Sequence, residues 1–255
     1  MVHSRKYSLS PQCNNLSESI LFDIYHSVHY LDWILKSPQK SVIHQMSHIQ
    51  NNSQLAAKAL TCERGGRVLF ENLEFSLSSG QAMIIQGSNG AGKTSLLRII
   101  TGLSQPAEGT VSWNQQNIET VAEEFQQQLL YIGHLAAVKR ELTVRENLQL
   151  LKRFWPTDAE GSIADLAENV GLRQRLSVSC SRLSAGQLRR VSLARLFIST
   201  QSIWVLDEPL TALDVDFIGV VEQCLQNHLK AGGIAILTTH RGIDLGEQAS
   251  ITLDL

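Results

Sequence analysis

The run Gly87-Ser88-Asn89-Gly90-Ala91-Gly92-Lys93-Thr94 has the residue types and spacing of a phosphate cradle. Its backbone N–H groups must converge on an anion, and glycines permit the backbone angles and close approach this needs. Lys93 then supplies a point charge for β- and γ-phosphates, and Thr94 a hydroxyl for Mg²⁺. Ser95 follows and completes the candidate nucleotide-binding set. Further along, Asp207 and Glu208 end the apolar run Ile203-Trp204-Val205-Leu206. A carboxylate at the C-terminal tip of a central strand lies beside the phosphate loop of an open α/β sheet, where Asp207 would hold Mg²⁺, commonly through water. Glu208 is the candidate to orient and polarise an attacking water. His240 closes a second apolar run, Ile234 to Thr239, and is read as a hydrogen-bonding partner of the γ-phosphate and of Glu208. Together these residues describe hydrolysis of a nucleoside triphosphate.

Such chemistry needs particular elements to hold it. Met83-Ile84-Ile85 reads as a short strand feeding the glycine loop. Thr94 to Gly102 reads as a helix with Leu96, Leu97, Ile99 and Ile100 on its buried face and Gly102 as its stop. Strand, glycine loop and helix in succession are the setting a phosphate loop requires, and the helix turns its positive end to the same anion. Leu69 to Leu77 reads as an earlier strand that ends at the turn Ser79-Gly80. Residues from about 140 to 195 read as mostly helical. Ile203–Leu206 and Ile234–Thr238 are apolar on both sides, as central parallel strands covered by helices must be. No internal repeat is seen, and only one phosphate loop.

The bulk composition sets outer limits. With 255 residues, 43% of them apolar and 18% charged, the chain has an ordinary globular balance over one or two domains. A formal charge of −2 gives no basic excess for a nucleic-acid partner. Cys13, Cys62, Cys180 and Cys224 are scattered, which argues against a disulfide framework or a zinc site and fits a reducing compartment. No apolar run reaches the roughly 18 residues of a membrane span, and the N-terminus lacks the layout of a secretory signal. Residues 1–54 stand apart, rich in Ser, Asn, Gln and His, and carry no phosphate-binding or catalytic signature. Within them Leu21, Ile24, Val28, Leu31 and Leu35 fall at helical spacing. Two readings fit this extension: an amphipathic helix that docks on a membrane or partner, or a loosely folded segment upstream of a true start at Met46.

The phosphate loop, Leu183-Ser184-Ala185-Gly186-Gln187, Leu206-Asp207-Glu208-Pro209, Ala212-Leu213-Asp214 and His240 together resemble the nucleotide-binding subunits of ATP-binding-cassette transporters. The resemblance covers about residues 55–255. It implies an α/β fold: a P-loop NTPase core with a parallel sheet, an N-terminal antiparallel β subdomain and a small helical subdomain bearing the signature pentapeptide. It also implies ATP and Mg²⁺ as cofactors and a head-to-tail dimer with two ATP molecules between subunits. In that dimer Ser184, Gly186 and Gln187 of one copy would face the phosphates bound by the other, and Asp214 would line the seam. A Ser hydroxyl and backbone amides at a helix start suit that anion.

Within the family the chain is most similar to the ATP-binding subunit of the cytochrome c maturation system. The stretches that carry this are Cys62-Glu63-Arg64, the phosphate loop, Tyr131-Ile132-Gly133-His134, the signature, Trp204 to Pro209 and Ile236 to His240. The resemblance implies integral membrane permease subunits as separate chains, and a peripheral place on the cytoplasmic face of a bacterial inner membrane. Three departures from the general family pattern stand out. Ala185 replaces a usual Gly; His134 stands where a Mg²⁺-contacting Gln is usual; and Arg64 falls near the place of an adenine-stacking aromatic, with Phe70 further on. Arg64 fits either a stack on the base or plain solvation. His134 to Leu151, with the apolar Leu135, Ala136, Ala137 and Val138, fits either a surface for a membrane partner's helix or a loop packed on its own helical region.

Overall fold

The computed structural model describes residues 53–154 and 162–255. The extension's helical stretch lies outside them. The chain first forms two long strands, β1 (Gln54–Arg64) and β2 (Arg67–Ser78), which pair antiparallel and turn over Gly65-Gly66. With β4 (Glu108–Trp113) and β5 (Gln116–Asn117) they make a four-stranded antiparallel sheet in the order β2-β1-β4-β5. Alternation fixes which face is buried. Leu55, Ala57, Leu60 and Cys62 of β1 point to the core, and Leu77, Phe75 and Phe70 of β2 join them. Gln54 begins β1 and Ser53 is hydrogen-bonded to this sheet region, although the sequence reading put both in the extension. The Ser53 N–H donates to Ser79 Oγ, the Trp113 indole donates to Ser53 Oγ, and the Gln54 N–H donates to Asn114 Oδ1.

A second sheet holds the chemistry. It is five-stranded and parallel, in the order β6-β7-β8-β3-β9, from β3 (Ala82–Gln86), β6 (Leu129–Ile132), β7 (Ile203–Leu206), β8 (Ile234–Thr238) and β9 (Ser250–Asp254). The β7 side chains divide between two cores, as a strand covered on both faces must. Ile203 and Val205 pack with the helix α1 (Lys93–Ile100) and the antiparallel sheet. Trp204 and Leu206 pack with the helical part of the molecule. Truncating one of these, such as Leu206, to Ala costs about 2–5 kcal/mol by the general behaviour of buried large-to-small changes.

The helical part comprises α3 (Val144–Phe154), α4 (Ile163–Asn169) and α5 (Ala185–Leu193); α2 (Ala122–Gln127) precedes β6, and α6 (Val215–Lys230) joins β7 to β8. Val144 and Leu148 of α3, Leu166 and Ala167 of α4, and Leu188 and Val191 of α5 share one apolar cluster. Among the described residues, the interval read as mostly helical holds three short helices, with single tight turns at Arg173–Arg175 and Cys180–Arg182. Asn147 ties it together from inside. Its side-chain amide donates to the Lys139 and Thr143 carbonyls while its oxygen accepts from the Lys139 N–H.

Register decides where the site must be. Ile132 lies opposite Leu206, Leu206 opposite Leu237, and Ile85 opposite Thr238. The C-terminal tips of β6, β7, β8 and β3 therefore end at one level. The residues next in sequence, Gly133-His134, Asp207-Glu208, Thr239-His240 and Gly87, emerge along one rim. Ligands of open α/β sheets bind at that rim.

Candidate functional site

The phosphate loop crosses this rim between β3 and α1. Gly87, Gly90 and Gly92 all take positive φ, which side-chain-bearing residues rarely adopt. Gly92 is also the N-cap of α1, and no side chain caps the helix. First-turn N–H groups, those of Lys93, Thr94 and Ser95, are thus left for an outside acceptor, and Asn89, Gly90 and Ala91 form the arch above them. At Gly90 an added side-chain carbon would meet nothing within 4 Å. Lys93 is only 7% exposed, and its Nζ donates to the carbonyls of Gly87 (2.8 Å) and Ser88 (3.0 Å). Its charge is thereby held inside the arch. An uncapped helix start, an open arch and a buried ammonium fit a polyphosphate.

The Asp207 carboxylate links three elements. Its Oδ2 accepts from the Thr94 hydroxyl at 2.8 Å, and its Oδ1 accepts from the Thr238 hydroxyl at 2.8 Å. At 2% exposure it is a buried anion held by two hydroxyls. Thr94 and Asp207 offer the hard oxygen atoms that Mg²⁺ prefers. Among the described residues no group of three His, Cys, Asp or Glu side chains forms a metal cage. The pair matches the way Mg²⁺ is held with substrate phosphates, by one or two protein oxygens.

Glu208 follows with φ 47°, in the left-handed region. Such a conformation in a residue other than glycine costs of order 1–3 kcal/mol and persists where neighbours enforce it. Here the Glu208 N–H donates to Thr238 Oγ1 (2.8 Å), and its carbonyl accepts from Arg189 (2.9 Å). The turn lifts the carboxylate off the strand axis toward β8. Oε1 stands 3.0 Å from His240 Nε2, and Oε2 accepts from the Thr211 hydroxyl at 3.1 Å. His134 Nδ1 is 3.9 Å from Oε2, with 59% of that side chain exposed. Glu208, His134 and His240, distant in sequence, are therefore brought together, with Asp207 next to Glu208 in the chain.

The signature segment begins α5. Ser184 is its N-cap: Ser184 Oγ accepts from the Gln187 N–H, and Gln187 Oε1 accepts from the Ser184 N–H. Both residues thus form a capping box. Gly186 has a steric role as well, because a side-chain carbon there would lie 2.4 Å from the Ala212 carbonyl oxygen. Asp214 caps α6 by accepting from the Phe217 N–H (2.9 Å) and pairs with Arg190, whose guanidinium lies 4.5 Å over the Phe217 ring. These contacts hold the Asp214 carboxyl below the usual range, the Phe217 N–H first and the Arg190 bond second.

Two residues that the sequence reading passed over shape this site. Thr238 joins Asp207 to Glu208; its signal was a hydroxyl at the tip of an otherwise apolar strand. Arg189 lies buried on α5 beneath both loops; its signal was a cation at the helical spacing of the buried Ser192 and Leu193. Arg64, for its part, donates to Ser104 Oγ at 3.1 Å, and Phe70 is buried against the β1–β2 core. Of the apolar loop, Leu135 is 47% exposed and Ala137 exposed, whereas Ala136 and Val138 pack on the helical cluster.

A phosphate arch, a hydroxyl–carboxylate pair and a histidine-flanked glutamate thus share a rim with a separate capped helix that carries Leu183 to Gln187. The sequence pattern described as "ABC transporter" matches residues 70–211. The chain belongs to the ABC transporter family.

Among relatives, a "Cytochrome c biogenesis ATP-binding export protein CcmA" of Aliivibrio fischeri is 47% identical over 201 residues, 78% of this chain and 98% of that protein. One of the same description from Idiomarina loihiensis is 49% identical over 198 residues, 76% of this chain and 89% of that one. A solved "ATP binding subunit of ABC transporter" superposes with a TM-score of 0.62 at 25% identity, over 73% of this chain and 79% of that one. As an ABC-type ATPase, this chain binds ATP. The expected P-loop NTPase fold, with its parallel core, antiparallel β sheet and helical part, is the one observed. No described helix is long and apolar enough to cross a membrane.

Proposed function

We propose that this chain is the energy-coupling ATPase of a membrane complex that serves c-type cytochrome biogenesis, through haem export or release of a haem-loaded partner. The reading is carried by the likeness, near 47% identity over almost the whole length of the relative, to proteins described as cytochrome c biogenesis ATP-binding export proteins. Residues from Ser53 onward form the ATPase domain, and the preceding residues are an extension of it. The chain works as a head-to-tail dimer peripheral to the cytoplasmic face of a bacterial inner membrane. Its permease partners are separate chains, and the exposed Leu135 and Ala137 offer them an apolar contact.

The site residues divide the work. The arch and Lys93 bind and orient the β- and γ-phosphates. Thr94 and Asp207 hold Mg²⁺, which supplies charge neutralisation when bound, and His134 reaches the same place through water. Glu208 orients the attacking water, and His240, 3.0 Å away, fixes that carboxylate and reaches the γ-phosphate. Ser184, Gly186 and Gln187 meet the partner copy's nucleotide, with Asp214 at the seam. ATP binding closes the dimer and hydrolysis opens it.

The test is covalently attached haem in the host's membrane and periplasmic fractions, with the wild-type chain replaced by Glu208→Gln. Loss of c-type haem proteins with b-type haem intact is the expected result. Unchanged c-type haem would discard the pathway and leave an ABC transporter ATPase for another substrate.

A further inference from the structure

Arg189 is 5% exposed in the middle of α5, where the neighbouring Leu188, Val191 and Ser192 are also buried. Burying a guanidinium is costly unless it is fully bonded. Among the described residues no carboxylate lies within ion-pair distance of it. Its partners are main-chain carbonyls instead. Nη1 donates to Gly133 O (2.8 Å) and His134 O (3.3 Å); Nη2 donates to Asp207 O (2.7 Å) and Glu208 O (2.9 Å); Nε reaches Pro209 O at 3.4 Å. The planar fork of donors is thus spent on two loops, one after β6 and one after β7. Burial pulls the guanidinium below the usual arginine range, and the Asp207 and Glu208 charges oppose that pull.

The position of these carbonyls gives the contact its meaning. Glu208 holds a left-handed backbone that needs enforcement from both sides. Thr238 fixes its N–H side and Arg189 its carbonyl side. His134, one of the groups near the Glu208 carboxylate, hangs from the same guanidinium by its carbonyl. Arg189 lies five residues, about 7.5 Å of helix rise, from the capping residue Ser184. A lysine has three donors on a point charge and no fork, so it cannot make these five bonds.

We propose that Arg189 is a positioning residue that fastens the signature helix to the backbone of Glu208 and His134, so that the seating of this helix sets the aim of the water-orienting carboxylate. The proposal rests on the reading of Glu208 as that carboxylate. In the dimer, the helix whose start meets the partner's nucleotide is then tied directly to Glu208 of its own chain.

The test is a double-mutant cycle on turnover of Mg²⁺–ATP by the full chain, with cooperative thermal unfolding checked for every variant. Arg189→Lys lowers kcat by about 10–100-fold and leaves KM within about twofold, as a displaced but intact catalytic group would. In a Glu208→Gln background, measured in single turnovers, the same change costs less than about a further twofold, because Arg189 acts through Glu208. Arg189→Gln, tested in parallel, gives the same pattern. Equal fold-losses in both backgrounds, an unchanged kcat, or a raised KM alone overturns the proposal. So does failure of both variants to fold, since the residue is then one of the fold only. Wild-type turnover by Glu208→Gln alone removes the water-orienting reading itself, whereas wild-type turnover by Arg189→Lys removes only the proposal.

Discussion

The Glu208 carboxylate sits between the His240 and His134 rings and the Thr211 hydroxyl, on a backbone twisted into the left-handed region. Strain of this kind is stored at functional sites. Lys93 is the complementary case: its ammonium is buried and held by two loop carbonyls, 2.8 and 3.0 Å away. Lys93→Ala leaves the loop without its cation and is expected to abolish ATP binding or turnover, read by nucleotide binding and phosphate release; unchanged turnover would remove the site assignment. At this scale the sequence pointed to the residues that line the arch and the rim, because types and spacing suited to an anion form a motif. It was silent about Thr238 and Arg189. Those two act through backbone carbonyls, N–H groups and other side chains, and such partners have no motif.

Between residues and the whole lie the elements whose ends align at the rim. The strands β3, β7 and β8 and the helix α1 were legible because their apolar runs are unbroken and bounded by glycine or acid. The β4–β5 hairpin, α2 and the edge strand β9 were not. Short segments such as Gln116-Asn117 and the exposed Ser250–Asp254 are defined by pairing rather than by pattern. The pairing of β7 and β8 is buttressed by α6. His228 stacks on Trp204 with ring centres 3.9 Å apart, and Nε2 lies 3.2 Å from the Ile234 carbonyl. Glycine is required at 233, because a side-chain carbon there would lie within 2.6 Å of His228 ring atoms. Burial, the first cause, pushes His228 down to about 4 from an ordinary 6.5. The neutral ring is therefore favoured in the folded chain. Its stabilisation is complete above about 6.5 and is lost as pH falls toward 4. His228→Phe keeps a stacked ring without a titrating group. Its thermal midpoint is expected to fall less than the wild-type midpoint between pH 6.5 and pH 4; parallel curves would show that His228 carries no linkage.

On the scale of the molecule, two candidate regions lie apart from each other. The arch with Glu208 lies on the rim of the parallel sheet, and the capped start of α5 stands apart on the helical part. Ser184 and Gln187 satisfy each other across the first turn of α5. The Ser184 hydroxyl accepts there and keeps its proton for an outside acceptor. The family resemblance, more than periodicity, made this division legible, since one chain's sequence says nothing of a second copy. In the proposed dimer an ATP site is completed by a partner chain. Light scattering on the purified Glu208→Gln chain, with and without Mg²⁺–ATP, tests it most directly, alongside the Glu208→Gln chain that also carries Ser184→Arg. A dimer with one ATP per chain is expected for the first protein, and for the second a monomer that still binds ATP. A first protein that stays monomeric at saturating ATP, or a second that dimerises as the first does, would contradict it.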